Sequence, residues 1–145
     1  MNIALKRLTQ TAKLPERGSV MAAGYDLFAD ITEEMEILPH TTTMIGTGIA
    51  VAIPEGYFGG VYARSGLSAK EGLRPANCTG VVDADYRGEI KVALHNDSDV
   101  SRKVAPGQKI AQMVISPFLS VSFSEVDSLD ETERGEGGFG STGKM

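Results

Sequence analysis

The densest concentration of reactive side chains in the chain runs from Asn77 to Gly88, NCTGVVDADYRG, with Asp83 and Asp85 two residues apart and Tyr86 beside them. Gly80 and Gly88 punctuate the segment as a hairpin would require. A carboxylate placed this way can orient a water molecule and take its proton, provided an electrophile sits above it. An ordinary aspartate is a weak base at neutral pH, so a metal ion or cationic donors must stabilise the charge that develops on the attacked group. The same string also fits turn aspartates that do no more than satisfy hairpin amides.

Arg64-Ser65-Gly66 lies where an extended run hands over to a short helical segment, SGLSAKEG, with Ser65 suited to cap its start and Gly72 to end it. Unpaired N–H groups of a first helical turn, beside a guanidinium and a hydroxyl, make a corner that attracts anions. An ordinary cap with a surface arginine reads the same way. Gly24-Tyr25-Asp26-Leu27 and Gly107 to Gln112 are plainer: Asp26 is suited to bind a neighbouring arginine, and Gln112 to face outward from a strand.

The last stretch, RGEGGFGSTGKM, carries two pattern matches that fail on context. Gly135-x-Gly137-x-x-Gly140 has the glycine spacing of a dinucleotide fingerprint, but neither the strand before it nor the helix after it. Gly138 to Lys144 has the form of a phosphate loop, yet Met145 stands where a serine or threonine should meet Mg²⁺. What survives is a run of glycine amides able to wrap a phosphate, with Arg134 to pair with it, the Ser141 and Thr142 hydroxyls, and Phe139 to stack on a base. A plain glycine-rich tail is the bland alternative. His40 and His95 lack ligand spacing and read as structural, and Cys78 alone makes no disulfide.

The elements that must position these groups are short strands. A chain of 145 residues is one domain, and its 17 glycines, about 12% against a usual ~7%, mark tight turns or close approaches to backbone. Thr43 to Ile53 alternates bulky and small side chains and reads as one strand. Further strands are expected at Asn2 to Leu8, Met35 to Leu38, Tyr57 to Arg64, Glu89 to His95, Lys109 to Ser116 and Val121 to Val126, between proline-, glycine- and asparagine-rich turns. Many short strands and one helix of a turn or two predict an all-β sandwich, barrel or jelly roll. From Asp127 the chain is too poor in large apolar residues to pack, which predicts a body over residues 1–127 and a flexible glycine-rich arm over 128–145.

A net charge of −5 without a basic block argues against nucleic acid as a partner. The longest clean apolar run, Ile49 to Ile53, is far short of the ~18 residues of a membrane span. With a single cysteine, the expectation is a soluble protein of the reducing cytoplasm.

Taken together, AGYDLFAD (Ala23 to Asp30), RSGLSAKEG (Arg64 to Gly72), GVVDADYRG (Gly80 to Gly88), GQKIAQ (Gly107 to Gln112) and RGEGGFGSTG (Arg134 to Gly143) resemble the five ordered motifs of the trimeric dUTPase family. The resemblance implies a distorted jelly-roll β-barrel subunit, a homotrimer, and active sites shared between subunits that cut dUTP to dUMP and pyrophosphate, lowering dUTP and supplying dUMP for thymidylate synthesis. It implies that Asp83 activates water for attack on the α-phosphorus, and that Asn77 reads uracil with backbone groups around Gly80 and Val81. Tyr86 would pack on the sugar and exclude a 2′-hydroxyl. Arg64, Ser65, Gly66 and Gln112 would hold the triphosphate. Arg134, Phe139, Gly140, Ser141 and Thr142 would close over base and terminal phosphate, and Asp26 would buttress the arginine corner. Mg²⁺ would be held mainly by phosphate oxygens and waters rather than by a carboxylate cage. The alternatives are a dCTP deaminase or bifunctional deaminase and diphosphatase of the same fold, and a non-catalytic nucleotide-binding regulator. Tyr86 within DADYRG and the FGSTG tail favour the dUTPase reading.

Overall fold

A computed structural model describes residues 1–141 and residue 143. Its strands are β1 (Ala4–Arg7), β2 (Glu16–Arg17), β3 (Tyr25–Phe28), β4 (Met35–Ile37), β5 (Thr42–Gly46), β6 (Ile49–Ala52), β7 (Tyr57–Tyr62), β8 (Leu73–Pro75), β9 (Thr79–Val82), β10 (Lys91–Asn96), β11 (Arg102–Val104) and β12 (Lys109–Pro117), with one helix, α1 (Ser65–Glu71). They form four antiparallel sheets: β1-β6, β5-β10-β8, β11-β4 and the five-stranded β2-β3-β12-β7-β9. The architecture is a jelly roll, as expected. Among the described residues no helix is long and apolar enough to cross a membrane.

The core lies between the sheets. Leu27, Ile37, Ile45, Ile53, Leu94 and Ile110 are almost wholly buried there, and the alternation of strands such as β10, whose Val92 and Leu94 face inward, puts them there. Asn96 is fully buried and completely bonded: its amide donates to the Ile37 and Val100 carbonyls at 3.0 and 2.8 Å, while Oδ1 accepts from the Ser98 amide and hydroxyl. The Asn96-Asp97-Ser98-Asp99 turn expected from composition is thus built around an interior side chain.

Three expectations are corrected. Thr43 to Ile53 is two strands, β5 and β6, lying in different sheets, because Gly48 adopts φ +67° and turns the chain between them. The Thr47 hydroxyl, buried, bonds the Ile90 carbonyl at 2.6 Å and pins that corner. The period of two is continuous across the corner, so alternation alone could not reveal it. Val121 to Val126 forms no strand: the chain after Pro117 has no regular element among the described residues, and Leu119, Val121 and Phe123 stand 88%, 64% and 96% exposed. The cap of α1 is Arg64 in extended conformation with no side-chain cap bond, and Ser65 is the first helical residue. Gly72, φ +71°, ends the helix in the left-handed region as expected.

Gly48 is required for two reasons, its positive φ and its surroundings, since an added Cβ would overlap Asp30 Oδ2 and stand 2.8 Å from the Ala12 Cβ. Gly48→Ala is expected to destabilise the protein by about 2 kcal/mol or more. Chemical denaturation should show the loss, and an unchanged midpoint would mean that the corner relaxes freely.

Candidate active site

Two clefts collect the residues singled out above between Gly24 and Gln112, and no residue lines both. The first, about 380 Å³, is walled by Asn77, Gly80, Val81, Asp83 and Tyr86. β9 carries Gly80 and Val81 against β7, with Gly80 opposite Val61 and Val81 opposite Gly60. The approach is close: a Cβ on Gly80 would stand 3.2 Å from the Val61 Cβ and 3.4 Å from the Asn77 side-chain nitrogen. Asn77 sits in a tight turn in which the Cys78 amide bonds Pro75 O at 3.1 Å and Cys78 takes φ +61°.

Beyond β9 the chain turns again, the Tyr86 amide bonding Asp83 O at 3.2 Å. The Tyr86 hydroxyl donates to the Glu89 carbonyl at 2.9 Å, which fixes the ring on the cleft wall. Gly88 must be glycine for this, because a Cβ there would run into the Tyr86 hydroxyl. Arg87 donates to Ala84 O at 2.6 Å and braces the turn from outside. Asp83 is left exposed at the cleft, reachable by water.

The second cleft, about 250 Å³, is lined by Gly24, Asp26, Arg64, Ser65, Gly66 and Gln112. Asp26 is nearly buried, and both its oxygens are occupied: Arg64 Nε donates to Oδ1 at 2.8 Å, and Lys109 Nζ lies 2.7 Å from Oδ2. The Asp26 contact engages Arg64 through Nε and leaves the rest of the guanidinium fork available to an anion. Gln112, opposite Asp26 across the ladder, donates to Ala63 O at 2.9 Å. Gly24 makes room for it, since a Cβ there would overlap the Gln112 side-chain oxygen.

The tail residues are gathered with one another and not with the clefts. Arg134 Nε donates to Gly137 O at 2.8 Å, Ser141 packs so closely on Gly137 that a Cβ would stand 2.7 Å from its hydroxyl, and Phe139, φ +50°, is fully exposed beside Gly140, φ +90°. The hydrogen bonds of the described tail residues run within the tail. Thr142 lies outside the described residues. His40 pairs with Asp99, and His95 with Thr42 and Asp97, and neither histidine lines either cleft. Among the described residues no three histidine, cysteine or acidic side chains are grouped to hold a metal.

Sequence reasoning missed Arg74. It clasps Asp97 through two guanidinium nitrogens and donates to Pro75 O at 3.0 Å, tying down the turn that presents Asn77. The hydrogen bond from Arg74 holds the Asp97 carboxyl below its ordinary range. The two residues are 23 apart in sequence and meet only because β8 pairs with β10, so no local pattern signals them.

An antiparallel jelly roll with one cleft built on a hairpin carboxylate and another on a buttressed arginine has the makings of a hydrolase for a phosphorylated ligand. The chain belongs to the dUTPase family, whose model matches residues 10–143. It is 46% identical to the deoxyuridine 5'-triphosphate nucleotidohydrolase of Syntrophotalea carbinolica over 99% of this chain and 97% of that one. With the enzyme of the same name from Corynebacterium glutamicum the identity is 48%, covering 98% and 95%. Among solved structures it is similar to Staphylococcus bacteriophage 80alpha dUTPase with dUPNHPP, at a TM-score of 0.89 and 33% identity over 99% of both chains.

Arg74→Met is expected to speed amide exchange at residues 77–80 by about tenfold or more, because the turn loses its tether while the core is untouched. The same loosening is expected in the unaltered protein as pH falls through the lowered Asp97 value, since a depressed carboxylate stabilises only while ionised. Protection factors, which divide out the intrinsic pH dependence of exchange, would show that the turn holds itself if they were indifferent to both changes.

Proposed function

We propose that the protein hydrolyses dUTP to dUMP and pyrophosphate, with Asp83 as the base that activates the attacking water. The observation that carries this reading is the gathering of Asn77, Gly80, Val81, Asp83 and Tyr86 on one cleft in a chain of the dUTPase family. Uracil enters against the β9 turn, where Asn77 and the backbone at Gly80 and Val81 offer it donors and acceptors, and the close β9–β7 approach leaves little space for a 5-methyl group. The Tyr86 ring, pinned by its bond to Glu89, packs on the deoxyribose and excludes a 2′-hydroxyl. Asp83 then faces the α-phosphorus and takes the proton of the water that attacks it in line.

Arg64, Ser65, Gly66 and Gln112 hold the triphosphate, and Arg134, Phe139, Gly140, Ser141 and Thr142 of an arm over 128–145 close over base and terminal phosphate, excluding bulk water. Closure uncurls or carries over a tail that here bonds to itself. Mg²⁺ fits this site as an ion carried by phosphate oxygens and waters, because both oxygens of Asp26 are already held by cations; bound there, it would neutralise charge on the phosphates. Lowering dUTP while supplying dUMP for thymidylate synthesis, in the cytoplasm, is the role that follows.

The base cleft and the phosphate cleft share no residue within one chain, which supports a homotrimer whose sites combine clefts of different protomers. The exposed alternation of Leu119, Val121 and Phe123 and an apolar groove of about 480 Å³ bordered by Ile3, Leu5, Leu14 and Ile115 are the surfaces that such an assembly would cover.

The test is release of pyrophosphate from dUTP beside dCTP, dTTP and UTP, with and without Mg²⁺. Only dUTP should be cut efficiently, and Asp83→Asn should still bind nucleotide while losing turnover by about 10²-fold or more. Ammonia released from dCTP, or binding without hydrolysis by the unaltered protein, would overturn the reading.

A further inference from the structure

We propose that Lys109 is a positioning residue for the phosphate cleft, acting through Asp26; the inference rests on the nucleotide reading above and names the group that makes Arg64 effective. Arg64 alone would meet the triphosphate with a carboxylate 2.8 Å behind it. That carboxylate, nearly buried and poorly screened, repels the same phosphates that the guanidinium attracts. Lys109 Nζ lies 2.7 Å from its other oxygen, so the trio Arg64, Asp26 and Lys109 carries a net positive charge where Arg64 and Asp26 would carry none.

A defect in the ladder puts Lys109 there. Along β12 and β3, Met113 faces Tyr25, Gln112 faces Asp26 and Ala111 faces Leu27, so Ile110 should face Phe28. Instead the register slips and Lys109 takes the place opposite Phe28, on the side of the sheet that carries Asp26. Ile110, the extra residue, is wholly buried in the core. Such a bulge re-aims side chains, and here it exchanges an isoleucine for a lysine beside the carboxylate. The Phe28 ring supports the ammonium from 5.8 Å, a cation–π distance. Lys13 lies over the same ring at 5.3 Å but turns to Gly107 O at 3.4 Å, so Lys109 alone of the two reaches Asp26.

The test is titration of the full-length protein with the non-hydrolysable analogue dUpNHpp, following Kd for five variants. Lys109→Met is expected to weaken binding about tenfold, with KM rising more than kcat falls, whereas Lys109→Arg stays within about threefold of the original. In an Asp26→Asn background, Lys109→Met should change Kd by less than about twofold, because no carboxylate remains to be neutralised. Lys109→Gln and thermal melting identify any loss that comes from misfolding. An undiminished penalty in the Asp26→Asn background would mean that Lys109 touches phosphate itself, and no penalty in either background would mean that it is only a surface lysine; both outcomes overturn the proposal. Failure of the unaltered protein to bind dUpNHpp would instead contradict the nucleotide reading.

Discussion

The pairing of β12 with β3 on one side and β7 on the other is the constraint on which the site depends. β12 is nine residues long and joins the two halves of the five-stranded sheet. Its Gln112 stands between Asp26 of β3 and Tyr62 of β7, and β7 leads directly into Arg64 and α1. One ladder therefore sets the spacing of the glutamine, the carboxylate and the arginine. The same β7 pairs on its far edge with β9, which carries Gly80 and Val81 into the other cleft. A slip of one residue anywhere in this sheet would turn these side chains to the wrong face. The irregularity it does contain, at Lys109, Ile110 and Ala111, is placed where it brings the Lys109 ammonium against Asp26 of the Arg64 cleft.

Polar satisfaction accompanies that geometry. Among the described residues no buried side-chain nitrogen or oxygen lacks a hydrogen-bond partner, and the interior polar groups Asp26, Thr47 and Asn96 each fasten segments distant in sequence. Removing one partner from such a set strands the other, which is why these positions hold the fold to one arrangement. The glycines act in the complementary way. Gly24 and Gly88 are absences of side chain that Gln112 and Tyr86 need in order to occupy their positions.

Much of this was legible in the residues alone. Strands whose hydrophobic alternation is local, such as β10 and β12, and the short helix ended by Gly72, lie where the pattern placed them. The residues of both clefts were also named, because Asp83, Tyr86 and Arg64 occur in compact strings rather than scattered through the chain. What escaped was non-local. The corner at Gly48 leaves the alternation of Thr43 to Ile53 undisturbed, and β2, β3, β8, β9 and β11 are too short to show a period of their own. Arg74 and Lys109 owe their roles to register across a sheet. Val121 to Val126 alternates like a strand but pairs with no other strand among the described residues, where Val121, Phe123 and Val126 stand exposed.

In the function we propose, catalysis joins the Asp83 cleft of one protomer to the Arg64 cleft of another. Asp83→Asn and Arg64→Ala should each be inactive as pure proteins, yet recover about a quarter of the unaltered activity when equal amounts are unfolded together and refolded into mixed assemblies. That fraction is the chance that a site draws an intact Asp83 from one variant and an intact Arg64 from the other. Mixed assemblies as inactive as the pure variants would contradict the account and place both groups of a working site on a single chain.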